Sequence, residues 1–179
     1  MTVLDGSGVG QDGDIISGVV WAADHGADVI LMPFSSPDFS PTLQDAIDYA
    51  WSHGAVLVAA AGNDGSSAPH FPSGDRGVVG VANTDESEAL NTTSNSGPAA
   101  FMAAPGTAIR TTGGNGGYTT ITGTSASAAA VAGAAALLKG IRMTSAPWST
   151  AQTTPLMMSP SWPTPEPSRT VTGMTFTPE

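Results

Sequence analysis

Two uninterrupted apolar runs of strand length, Ala27 to Phe34 and Ala55 to Ala61, constrain the fold of this chain more than any other feature. A run without polar alternation fits a strand covered on both faces, the usual condition of a parallel sheet. Each run follows a stretch with helical spacing. From Asp14, Ile15, Val19 and Ala22 recur beside Ile16, Val20 and Ala23, and Gly26 stands at a C-cap position. Before the second run, Ser40 is placed to cap a helix with Pro41 at its first position; Leu43, Ile47 and Ala50 share a face, and Gly54 closes the end. The strand–helix rhythm predicts right-handed crossover units, hence an α/β fold with a parallel sheet and helices on both faces. Ligands of such sheets sit beyond the strands' carboxyl ends.

From Ser66 to Tyr118 the apolar pieces are short (Val78 to Ala82, Ala99 to Ala103, Thr107 to Thr111) and broken by Gly, Pro, Asn and Ser, which predicts short strands joined by turns. Thr124 to Lys139 is apolar all round with small side chains, the pattern of a buried, closely packed helix, and Gly140 is expected to end it. Beyond Gly140 lie seven of the 14 prolines and four of the 7 methionines, so residues 141–179 are expected to form a largely irregular tail after one domain over 1–140.

Charge excludes some classes of partner. With 5 basic against 15 acidic residues and no basic residue before Arg76, the chain has no material for a phosphate-binding surface, so neither nucleic acid nor an anionic membrane is an expected partner. No apolar run reaches the length of a bilayer span, and the start, Met-Thr-Val-Leu-Asp, has neither the basic nor the apolar region of a signal peptide. The absence of cysteine removes disulfides, thiol nucleophiles and thiolate metal sites. His25, His53 and His70 show no metal-ligand spacing and are expected in solvated or loop roles.

Two segments could carry chemistry. In Gly123-Thr124-Ser125-Ala126-Ser127 a serine enters the first turn of an apolar helix, where the dipole and unpaired amides favour developing negative charge. Simple helix capping by Ser125 and Thr124 explains the same pattern. In Ala59-Ala60-Ala61-Gly62-Asn63-Asp64-Gly65, Asn63 leaves a buried strand at the sheet's carboxyl edge, where its amide could donate to an oxyanion. An Asn-Asp-Gly turn out of a strand has the same appearance.

Read in order, Val3-Leu4-Asp5, Gly8-Val9-Gly10, Asp28-Val29-Ile30, Ala60-Ala61-Gly62-Asn63, Phe71-Pro72, Val79-Gly80-Val81, Ser94-Asn95-Ser96-Gly97, Ala104-Pro105-Gly106 and Gly123-Thr124-Ser125 resemble the subtilisin-like serine peptidases (subtilases) over Thr2 to about Lys139. The resemblance implies an incomplete subtilisin-like domain with Ser125 as nucleophile and Asn63, with the Ser125 backbone amide, as the oxyanion hole. It implies that Gly8, Val9 and Gly10 pair with an extended peptide or protein substrate, and that Pro33, Phe34 and Ser35 form the opposite wall. Secretion follows from the family alone, and so does calcium; no acidic cluster here has a ligand spacing, and no cofactor is expected.

Departures accompany the resemblance. The family's Asp-Ser/Thr-Gly and His-Gly-Thr motifs, which supply the partners of the serine, do not occur in these residues, and His25 and His53 fall at helix ends. Ala129-Ala130 stand where Pro-His is usual, Ala126 where Met is common, and Pro33 removes a backbone donor from the substrate wall. Little or no activity is therefore expected of this chain alone, together with an open sheet edge, an apolar patch, and association with itself or with the missing N-terminal segment. A non-catalytic peptide-binding remnant and a serine esterase are the alternatives. The esterase's Gly-x-Ser-x-Gly elbow fails at Ser127.

Overall fold

The computed structural model describes residues 3–7, 9–114, 116–145 and 175–178. The elements in chain order are β1 (Gly10–Gln11), α1 (Asp12–Asp24), β2 (Val29–Met32), β3 (Phe34–Ser35), α2 (Pro41–Ser52), β4 (Val56–Ala60), β5 (Val78–Thr84), β6 (Met102–Pro105), β7 (Ile109–Thr112), β8 (Tyr118–Ile121), α3 (Thr124–Ser145) and β9 (Thr175–Pro178).

The centre is a parallel sheet in the order β2-β4-β5-β6, with Val29 opposite Val56, Leu57 opposite Val78 and Val81 opposite Met102. Successive side chains of β4 point to opposite faces, and the sequence supplies an apolar group to both. Leu57 and Ala59 join Ile15, Val19, Leu43 and Ile47 of α1 and α2 in one core. Val58 and Ala60 meet Val81, Ala128 and Ala132 in the other, beneath α3. Removing Leu57, Leu43 and Ile47 from water stabilises the fold by about 1.5–3 kcal/mol each, and all three are fully buried.

Both predicted crossover helices form. Ser40 caps α2 by accepting from the Leu43 N–H at 3.2 Å. Gly54, just beyond the helix, has φ +86°, a conformation that an L side chain rarely adopts. The run from Ala27 to Phe34 is not one strand. It breaks at Pro33 into β2 and β3, because proline has no N–H to continue a ladder.

The last helix differs from expectation in two respects. It continues through Gly140 to Ser145, so that glycine does not end it. Nor is it buried all round: Thr124, Ala126, Ser127, Ala128 and Ala132 are buried, whereas Leu137 and Leu138 are 67% and 64% exposed, since only the sheet side is covered among the described residues. The tail, expected to be largely irregular, also contains a strand, β9; its residues 146–174 and 179 lie outside the described residues.

Among the described residues β2 pairs on one side only, leaving Leu31 37% exposed. A cavity of about 210 Å³ lined by Val3, Val19, Trp21, Ile30 and Phe34, among others, opens beside it. These are the open edge and apolar surface that the sequence predicted. No helix among the described residues is long and apolar enough to cross a membrane.

Asp75 is an exception within the packed region. It is 2% exposed, and neither carboxyl oxygen has a hydrogen-bond partner among the described residues. Burial first, then the charges of Asp48 and Asp12, push its pKa up to about 8 from 3.8. The folded state therefore holds a proton that the unfolded state releases, and stability present below pH 3.8 is lost as pH rises toward about 8. The urea midpoint is expected to fall across that window in the parent chain, and Asp75→Asn, neutral at every pH, should flatten the slope. An unchanged slope in the variant would contradict this account.

Candidate active site and peptide groove

Three segments meet at the carboxyl edge of the sheet: the loop after β4, the turn after β2 and the start of α3. Their meeting is fixed by side-chain to backbone hydrogen bonds. The Thr124 N–H donates to Asn63 Oδ1 at 2.9 Å, and the Gly62 N–H donates to Thr124 Oγ1 at 3.2 Å. Ser125, the next residue in α3, donates its hydroxyl to the Pro33 carbonyl at 2.9 Å. With Oδ1 accepting from Thr124, the donor end of the Asn63 carboxamide, Nδ2, turns to Gly123; a Cβ at 123 would lie 3.2 Å from it.

Ser125 and Asn63, proposed from two separated motifs, are thus brought to one place. The positive end of the α3 dipole faces the same place, while the Thr124 N–H is taken by Asn63 and the Ala126 N–H by the Gly123 carbonyl.

The β4 loop is held by a residue that the sequence reading quoted but gave no role. Asn95, 2% exposed, accepts from the N–H groups of Asp64 (3.0 Å) and Ser66 (2.9 Å) through Oδ1 and donates through Nδ2 to the Ala61 carbonyl at 3.1 Å. Its own N–H donates to the Gly62 carbonyl at 2.7 Å. Gly62 has φ +108°, and a Cβ there would run into the Asn95 carboxamide, so the loop requires both residues. The signal was present in Ser94-Asn95-Ser96-Gly97, but only tertiary contact gives Asn95 its three partners.

Thr124 and Ser127, read as helix-start residues, serve as cross-links. Ser127 Oγ donates to the Ala104 carbonyl at 2.9 Å, tying α3 to β6, and a Cβ on Gly106 would strike that hydroxyl.

The histidines take the expected positions, two exposed at helix ends and His70 in a loop. His25 and His53 cap α1 and α2, with their Nδ1 atoms on the Trp21 and Tyr49 carbonyls at 2.7 and 2.8 Å. The crossover helices run opposite to the strands, so these caps lie at the edge remote from Ser125. His70 is not solvated. It is 8% exposed, with Nδ1 3.5 Å from Asp64 Oδ2 and close to Gly62. Among the described residues no three His, Asp or Glu side chains gather to hold a metal.

Gly10 lies in β1 and Val9 just precedes it; Gly8 lies outside the described residues. Asp5 shapes this turn, its carboxylate accepting from the Ser7 and Val9 N–H groups at 2.9 Å each. Gly10 packs against Leu4 and Ile15 so closely that a Cβ would come within 3.0 Å of the Ile15 side chain. Pro33 offers its carbonyl to Ser125, while Phe34 and Ser35 form β3. The turn that carries this Pro33 carbonyl leads directly into β3, and β1 and β3 each pair with β9.

Truncating Asn95 to alanine leaves the buried Ala61 carbonyl and two part-buried amides unpaired, at about 1–3 kcal/mol for the buried group and less for the others. Asn95→Ala is expected to lower the unfolding free energy by at least about 2 kcal/mol, read from the urea midpoint; an unmoved midpoint would refute its role as the loop's anchor.

Similarity to known proteins agrees with this geometry. The subtilase family model, Peptidase_S8, matches residues 1–170. Thermitase from Thermoactinomyces vulgaris is 40% identical over 136 residues, covering 76% of this chain and 49% of the relative. Subtilisin DY from Bacillus licheniformis is 39% identical over 140 residues, covering 76% and 51%. The crystal structure of a cold adapted subtilisin-like serine proteinase superposes with a TM-score of 0.72 at 35% identity, covering 77% of this chain and 52% of that one. The chain spans about half the length of the curated relatives it matches. This chain belongs to the subtilase family.

Proposed function

We propose that these residues form the nucleophile, oxyanion hole and peptide groove of a serine endopeptidase that acts on extended peptides or proteins outside the cell. The contact of Asn63 with the Thr124 N–H, one residue from Ser125, carries the reading. Ser125 Oγ attacks the scissile carbonyl; the oxygen, now negative, receives hydrogen bonds from Asn63 Nδ2 and the Ser125 N–H. The tetrahedral intermediate collapses as the C–N bond breaks and the amine leaves, carrying the proton that a base took from the serine; water then cleaves the acyl-enzyme to the free acid and the serine hydroxyl, and no step calls for a cofactor. β1 and β3 hold the substrate backbone by main-chain hydrogen bonds, which give affinity without strict side-chain demands.

A serine hydroxyl needs a base to take its proton, and the motifs that supply the base and its aspartate in subtilases are not among these 179 residues. The chain by itself is therefore a binding and oxyanion-stabilising half-site. A peptide-binding role without cleavage is the second reading, favoured by that same lack of a base motif.

The test uses a fluorophosphonate probe and a casein assay on the chain alone and on the chain joined to an upstream segment carrying Asp-Ser/Thr-Gly and His-Gly-Thr. Alone, labelling at Ser125 should be slow or absent. Joined, labelling and proteolysis should appear together and vanish in Ser125→Ala. Asn63→Ala should lower kcat by about 10²–10³, the loss measured for such a donor in subtilisin itself. Rapid labelling of the chain alone would overturn the half-site reading, and a joined chain that never labels would overturn the peptidase.

A further inference from the structure

The walls of the groove are not paired with each other. β9 lies between them, antiparallel to both, in a sheet of order β1-β9-β3. Phe176 stands opposite Gly10 and Thr175 opposite Gln11, while Thr177 stands opposite Ser35 and Pro178 opposite Phe34. Neighbouring strands are about 4.8 Å apart, so the gap between β1 and β3 is the width of one extended chain.

We propose that the groove binds this chain's own segment Thr175–Pro178 as an intramolecular peptide ligand, carboxyl end toward Ser125, in competition with peptides from outside. The proposal rests on reading the groove as a peptide site and names its resident occupant.

Three observations carry it. The segment engages both walls, β1 through its first half and β3 through its second, as a middle strand does. Its direction is also defined. Followed toward the carboxyl end, it passes from opposite Ser35 to opposite Phe34, next to Pro33, whose carbonyl takes the Ser125 hydroxyl. The end of the segment nearest the nucleophile is thus the acyl end of a peptide. Finally, the sequence suits the place. Thr-Phe-Thr favours extended backbone, and Pro178, which has no N–H, follows only after the pairing with β1 is complete. The stretch between Ser145 and Thr175, about 30 residues, reaches roughly 100 Å when extended, ample for binding within one chain. A tethered segment competes at an effective concentration in the millimolar range, about what a single short peptide would need to fill the groove.

The chain contains no cysteine, which gives a clean test. Opposed residues of an antiparallel pair lie about 4.5–5.5 Å apart at Cα, within disulfide range. Oxidation of dilute full-length chain carrying Gln11→Cys with Thr175→Cys, and separately Ser35→Cys with Thr177→Cys, should give monomeric disulfides by mass spectrometry. Both should close at least about tenfold faster than the out-of-register pair Gln11→Cys with Pro178→Cys, which lies beyond bridging distance. Adding Phe176→Pro, which removes a main-chain donor, should slow closure of the first pair.

Equal rates for all three pairs, or products that are only cross-linked dimers, would overturn the proposal. Closure needs no catalysis. A chain that closes in register, yet never labels when joined to the upstream segment and shortened to end before Thr175, sinks the peptidase reading and leaves the occupant standing. One that labels but fails to close does the reverse.

Discussion

The site depends on a short set of hydrogen bonds joining the loop after β4 to the first turn of α3. Thr124 is the pivot: its N–H holds Asn63, its hydroxyl accepts from Gly62, and it is fully buried. Behind it, Asn95 fastens the loop at Ala61, Asp64 and Ser66. Buried polar groups are costly unless paired, so these contacts specify one arrangement of the two segments and exclude slightly displaced ones. Ser125 and Asn63 inherit their positions from it.

The sheet makes that arrangement possible. β4 carries an apolar side chain at every position, so it can be covered by α1 and α2 on one face and by α3 on the other, with the Asn63 loop emerging between the layers. The small side chains of Ala128 and Ala132 let α3 approach Val58, Ala60 and Val81 closely enough for Thr124 to reach Gly62. Bulkier residues there would hold the helix away and separate the two halves of the site.

Much of this was legible in the residues because the signals were local. The run from Ala55 to Ala61, the Ser40-Pro41 helix start, and the glycines at 26 and 54 act over a few residues and appear in the fold where expected, whereas the run from Ala27 to Phe34 breaks at Pro33. Elsewhere the local signal was not enough. Gly140 does not stop α3, and His70 is buried beside Asp64 although its loop is polar. The tail, read as largely irregular from its prolines, contributes β9, which pairs with β1 and β3.

Periodicity and turn chemistry are properties of neighbouring residues, and they sufficed for the layered α/β class, the two crossover helices, and the serine and asparagine worth examining. The pairing of Ser125 with Pro33, of Asn63 with Thr124, of Asn95 with the loop after β4, and of β9 with both β1 and β3 came from the assembled fold alone. Each of those contacts joins residues far apart along the chain, and no local pattern encodes which distant backbone amide or carbonyl a buried side chain will find.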